Sequence, residues 1–92
     1  MATQKLTATP TKLKNGASDL TEDTWYTIQN RGNQSFYVET ATSTPSNTEN
    51  AFVISPFSLM QVKVTGSEEI YISQDDKRGD GSFGTIVIEP SA

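Results

Sequence analysis

Asp75, Asp76 and Asp80 stand in one polar run with Lys77, Arg78 and three glycines, the densest group of chemically capable side chains in the sequence. Carboxylates gathered on one loop are the hard oxygen ligands that calcium takes, but their spacing does not fit an EF-hand loop and no glutamate stands where its bidentate ligand belongs. Turn-forming aspartates account for them more simply. Arg78-Gly79-Asp80 spells the tripeptide that integrin-binding loops display. Gly79 and Gly81 equally supply the positive φ that a turn requires, leaving the two charges solvated. Glu68 and Glu69 are adjacent carboxylates, yet acid/base work needs one of such a pair desolvated, and after Gly66-Ser67 they read as a solvated turn.

The chain has no histidine and no cysteine. Their absence removes the most frequent general base, the commonest transition-metal ligand and any disulfide or thiolate zinc site. Serine and threonine are plentiful, but the usual activating partner is missing and no Ser-x-x-Lys occurs. The expectation is a non-enzymatic protein with no cofactor and no metal. A net charge of −4, with seven cations scattered except around Lys12–Lys14 and Lys77–Arg78, speaks against nucleic acid. Affinity for a polyanion rests on Lys and Arg neutralising phosphates.

Trp25, Tyr26, Tyr37 and Tyr71 are the side chains that could stack on a sugar ring. Neighbours in a strand face oppositely, so Trp25 and Tyr26 cannot both be core, and Tyr37 between Phe36 and Val38 falls on the outer face. A sugar platform and a subunit interface, which also enriches Tyr and Trp, both fit these positions.

The elements that position these residues are strands. Trp25–Glu39 holds two alternating runs around Asn30–Gln34 and predicts a β-hairpin with one buried and one wet face. Thr40–Asn50 has no large apolar residue and predicts a surface loop of a length suited to crossing between sheets. Ala51–Ser55, Leu59–Thr65, Glu69–Ser73 and Thr85–Glu89 read as further strands, punctuated by Pro56, Gly66 and Pro90, with Gln74–Gly84 a long polar loop. Phe36, Val38, Phe52, Ile54, Val62, Val64, Ile86 and Ile88 are the expected core. No window keeps a helical period. Residues 1–19, poor in apolar side chains and broken by Pro10 and Asn15-Gly16, predict an extended N-terminal arm ordered by a partner; residues 20–92 form one domain. The fold class is therefore all-β, a small antiparallel β-sandwich or barrel.

Met1-Ala-Thr-Gln-Lys5 leads into polar sequence without the roughly 7–15-residue apolar run of a secretory signal, and nowhere do about 18 apolar residues follow one another. Synthesis in the cytoplasm, unless a leader has been trimmed, and no membrane partner are expected.

Taken in order, Tyr26-Thr-Ile-Gln-Asn30, a Tyr37-Val38 strand, a polar crossing with Pro45, Phe52-Val-Ile-Ser-Pro56, Val62/Val64, Ile70-Tyr-Ile72 and Ile86-Val-Ile88 make a pattern. Over residues 20–89 it resembles small accessory virion proteins of tailed bacteriophages, the decoration or cement type. The resemblance implies a jelly-roll-like sandwich, a homotrimer, and a place on the capsid surface with the major capsid protein as partner. Where the pattern has a glycine after Pro56 this chain has Phe57, which exposes an aromatic as a contact residue. Leu6 and Leu13 on the arm, with Trp25, Tyr37 and Phe57, are the expected partner-binding residues. The alternative reading is a carbohydrate-binding or host-receptor-binding module of a tail fibre or cell-surface protein, with Trp25 or Tyr37 against glycan; a third is an interaction domain of a cellular β-sandwich family.

Overall fold

A computed structural model describes residues 2–75 and 83–91. Ten strands follow one another with no helix among the described residues: β1 (Ala2–Lys5), β2 (Thr11–Lys12), β3 (Lys14–Asn15), β4 (Ser18–Asp19), β5 (Trp25–Asn30), β6 (Phe36–Ala41), β7 (Phe52–Ile54), β8 (Leu59–Lys63), β9 (Glu69–Ser73) and β10 (Thr85–Pro90). Two four-stranded sheets run β1-β10-β5-β8 and β2-β9-β6-β7, and β3 with β4 makes a small hairpin. Every pairing is antiparallel. The all-β class is as expected from the period-2 pattern.

Alternation sets the core. Tyr26, Ile28, Val62, Ile86 and Ile88 from one sheet meet Phe36, Val38, Ile70 and Ile72 from the other, and all are buried. The Tyr26 hydroxyl keeps a partner inside by accepting from the Thr21 amide at 2.9 Å, as a buried phenol must.

Four expectations need correction. β5 and β6 do not form a hairpin: they lie in different sheets, and Arg31–Ser35 carries the chain across the sandwich. The cause is Asn30, expected only as a turn residue and found fully buried. Its Nδ2 shares two hydrogens among the carbonyls of Gln34, Ile54 and Ser55 at 2.8, 3.4 and 3.3 Å, while Oδ1 accepts from the Gly32 amide at 2.9 Å. Those bonds bend the chain away from β5 instead of letting it fold back alongside. Conversely, the loop between β6 and β7 joins neighbours in one sheet. Ala51 and Thr48 of this loop lie with Pro10 near Tyr71 on the sheet's outer face, where Tyr71 is buried.

The N-terminal residues are not an arm. β1 pairs with β10 and β2 with β9, so this segment supplies one strand to each sheet. Leu6 and Leu13 are wholly buried, and their amides donate to the carbonyls of Gly84 and Ile70 at 2.9 and 2.8 Å. Gln4 links the two sheets at this edge: Nε2 donates to the Lys12 carbonyl at 3.0 Å and Oε1 accepts from the Lys14 amide at 2.9 Å. Two leucines suffice because backbone ladders do the remaining work of ordering the segment.

Phe52 is the fourth correction. Its register partner Val38 is core, yet Phe52 itself stands 73 % exposed. β7 ends its sheet, and nothing among the described residues covers the inner face at that border.

Candidate functional site

The exposed large apolar residues gather on one border of the sandwich. Phe52 and Val53 (61 % exposed) lie on β7, Phe57 (58 %) on the turn that follows, Leu59 (64 %) on β8, and Trp25 (50 %) at the start of β5. β7 and β8 are the terminal strands of their respective sheets. The opposite border, β1 with β2, exposes Thr3 and Lys5, the polar and cationic residues that blunt a sheet edge. The patch follows this border rather than one face: Phe52 turns inward, Val53 lies on the outer face beside Tyr37, and Trp25 and Leu59 lie on the outer face of the other sheet.

Sequence explains the patch locally. Ser55-Pro-Phe-Ser58 closes with the Ser58 amide donating to the Ser55 carbonyl at 3.1 Å, and Phe57 has φ +63°. Proline at the second position and positive φ at the third define a type II turn, whose third position belongs to glycine. An aromatic there is strained by its own Cβ. The turn is held nonetheless: Gln29 Nε2 donates to the Phe57 carbonyl at 3.2 Å, and the Asn30 amide donates to the Ser58 carbonyl at 3.0 Å. The ring is thus fixed outward at one end of the sandwich.

Between β7 and β8 the sheets part into a cleft of about 250 Å³. Its floor is core, Val38, Val62 and Ile70; Phe52 and Met60 are its apolar walls; Glu39, Thr40 and Gln61 are its polar lining. Trp25 also lines it, with the Lys63 ammonium 5.0 Å from the ring centroid. That cation occupies the negative face of the indole.

The expected partner-binding residues are dispersed. Leu6 and Leu13 are core and offer no surface, a correction that follows from the folding of the N-terminal segment. Trp25 and Phe57 are exposed but flank opposite ends of β8, since Trp25 pairs with Lys63 and Gln29 with Leu59. Tyr37 lies half-buried on the outer face of the other sheet. Its hydroxyl donates to an Asp75 carboxylate oxygen at 2.7 Å, and Gln34 Nε2 donates to the Asp75 carbonyl at 2.7 Å. The hydrogen bond to Asp75, then desolvation, then the carboxylate's charge raise the Tyr37 phenol above its ordinary value of 10.0.

Phe52, Val53 and Leu59 belong to the patch and were not among the expected contacts. A signal was present: from Asn50 to Ser67 the acidic chain carries no carboxylate and one cation, Lys63. Asp76, Arg78, Gly79 and Asp80 lie outside the described residues, so the tripeptide and the loop aspartates have no structural account beyond Asp75. Among the described residues no three His, Cys, Asp or Glu side chains gather as metal ligands. Glu68 is exposed in the turn where its amide donates to the Thr65 carbonyl at 3.3 Å, and Glu69 opens β9.

Comparisons with protein-family models, with curated proteins and with solved structures find no match to this chain.

Proposed function

We propose that this chain is a non-enzymatic accessory virion protein of the decoration type, which binds an assembled capsid through the Phe57 turn. The observation that carries the reading is a strained aromatic held outward: Phe57 occupies a glycine position with φ +63° and keeps its ring in solvent. Strain kept where a cheaper residue would serve points to a selected role. The strand orders β1-β10-β5-β8 and β2-β9-β6-β7, with the chain changing sheet at each step except β6 to β7 and the β3–β4 hairpin, support the jelly-roll description that accompanies the resemblance to virion proteins. A net charge of −4 suits a protein working beside packaged nucleic acid without binding it. The lack of histidine and cysteine supports the absence of catalysis. Co-sedimentation with purified assembled heads tests the reading: the wild type should pellet with the particles and Phe57→Gly should remain in the supernatant.

A glycan-binding role is the second reading, favoured by one feature, the cleft where Trp25 stands beside Glu39, Thr40 and Gln61. Trp25 is the single tryptophan, so its fluorescence reports directly on that cleft. Quenching or a blue shift on titration with oligosaccharides, with no capsid binding, would transfer the function to this site.

A further inference from the structure

We propose that the β8 edge is a self-pairing surface, taking β8 of a second copy of this chain in antiparallel register about Gln61. The inference leaves the Phe57 turn to the capsid and assigns the remaining apolar border a partner of its own.

β8 ends its sheet, so among the described residues one side of its backbone has no strand to bond. Such an edge recruits a strand unless something prevents it. The five residues of β8 are compatible with their own antiparallel copy. Centred on Gln61, the register sets Met60 against Val62 of the second copy and Leu59 against Lys63, so no like charges meet. Gln61 faces itself across the axis, where side-chain amides serve each other as donor and acceptor.

Charge also favours a copy. The molecule is acidic overall, yet Asn50–Ser67 carries no carboxylate, so β7 and β8 bring no acid of their own to the contact and Glu39 is the one carboxylate among the residues lining the cleft. The cleft supplies the apolar reason: its floor is the core itself, Phe52 at its mouth is open to solvent, and Met60 is only partly buried against the core. A second copy laid along β8 covers both. Aromatic side chains bury about 150–250 Å² each, so Phe52 and Trp25, each at least half exposed, offer on the order of 200 Å² between them, and Leu59 adds to it. A stable interface buries roughly 800 Å² per partner, so the backbone and polar residues of β8 must carry a large share of the contact.

The contact is isologous, so it closes at two copies and not at the three implied by the resemblance to virion proteins. It also sets the spacing of the Phe57 turns. In this register Phe57 lies level with Thr65 of the second copy, which places the two turns roughly 25–30 Å apart at about 3.4 Å per residue. A dimer would then meet a shell at two points, gaining avidity from one weak contact used twice.

Charge substitution at Gln61 tests the register. The side chain is exposed and outside the core, so Gln61→Lys and Gln61→Glu should both fold, as circular dichroism and urea midpoints would verify. Sedimentation equilibrium should find the wild type dimeric. Each variant alone should dimerise at least about tenfold more weakly, because like charges face across the axis. An equimolar mixture of the two should recover the dimer mass, since opposite charges then meet. Leu59→Lys should also weaken association without loss of fold. A wild type that stays monomeric to about 1 mM, variants that dimerise unchanged, or a mixture that fails to recover would each overturn the proposal. These measurements use no capsid, while capsid binding is scored through Phe57, so the two readings fail separately.

Discussion

Phe57 allows the turn and its role to be tested with one pair of substitutions. Phe57→Ala and Phe57→Gly lose the same ring, so its contacts cancel in the comparison and the backbone alone distinguishes them. A residue with a Cβ in the left-handed region carries roughly 1–2 kcal/mol of strain. Glycine avoids it but adds roughly 0.5–1 kcal/mol of conformational entropy lost on folding. The glycine variant is therefore expected to be more stable than the alanine variant by about 0.5–1 kcal/mol, the reverse of the order found at ordinary positions. For a domain of this size that difference raises the melting temperature by about 2–8 °C. Urea unfolding followed through Trp25 fluorescence, or calorimetry, resolves it. Both variants should lose capsid binding equally. An alanine variant as stable as the glycine variant would refute the turn geometry, and a glycine variant that still pellets with capsids would refute the role of the ring.

Leu6→Ala or Leu13→Ala should cost about 2–5 kcal/mol, as for a core leucine, whereas Phe52→Ala should cost under about 1 kcal/mol in the monomer; denaturation midpoints separate the two classes. Asn30→Ala removes the buried amide that holds the carbonyls of Gln34, Ile54 and Ser55 at the crossing between β5 and β6 and should destabilise by about 1–3 kcal/mol. An unchanged midpoint would mean that water replaces the amide. The raised phenol of Tyr37 favours the neutral form in the folded protein. Its stabilisation is present below the unfolded value of 10.0 and is lost as pH rises through the raised folded value. The stability difference between wild type and Tyr37→Phe, measured by urea unfolding, should therefore shrink as pH rises past 10.0.

Period-2 alternation carried most of the legible structure. It marked Phe36, Val38, Val62, Val64, Ile86 and Ile88 as core, and all six are buried. Alternation places a side chain on a face without saying whether anything covers that face. Phe52 shows the difference, since it shares the register of Val38 and lies open at the border. Composition misled for the N-terminal segment, because Leu6 and Leu13 were weighed as two apolar residues among many polar ones. Backbone pairing with β10 and β9 needs no apolar side chains and leaves no mark on composition. Pairing partners were the least legible feature of all. Asn30 sends the chain to the opposite sheet through bonds with Ile54 and Ser55, residues far away in sequence. For the surface site, the exposed Phe57 was foreseen from its place after Pro56, while Val53 and Leu59 had been read as strand residues and nothing more.

β10 sits between β1 and β5, so the last described strand is interior to its sheet while the first lies on the rim. During synthesis β1 and β5 are both made long before the strand that joins them. Until Thr85–Pro90 leaves the ribosome, neither has that neighbour, and Ile28 lacks Ile88 beside it. Pairings between such distant segments bear loop-closure entropy before they return any stability, and domains of this kind fold in about milliseconds to seconds. Closure of this sheet is thus deferred until Thr85–Pro90 has been made. In the interval the unpaired edges of β1 and β5 are open to other nascent chains, which makes the speed of that final closure, more than the depth of the core, the quantity that governs yield in the cell.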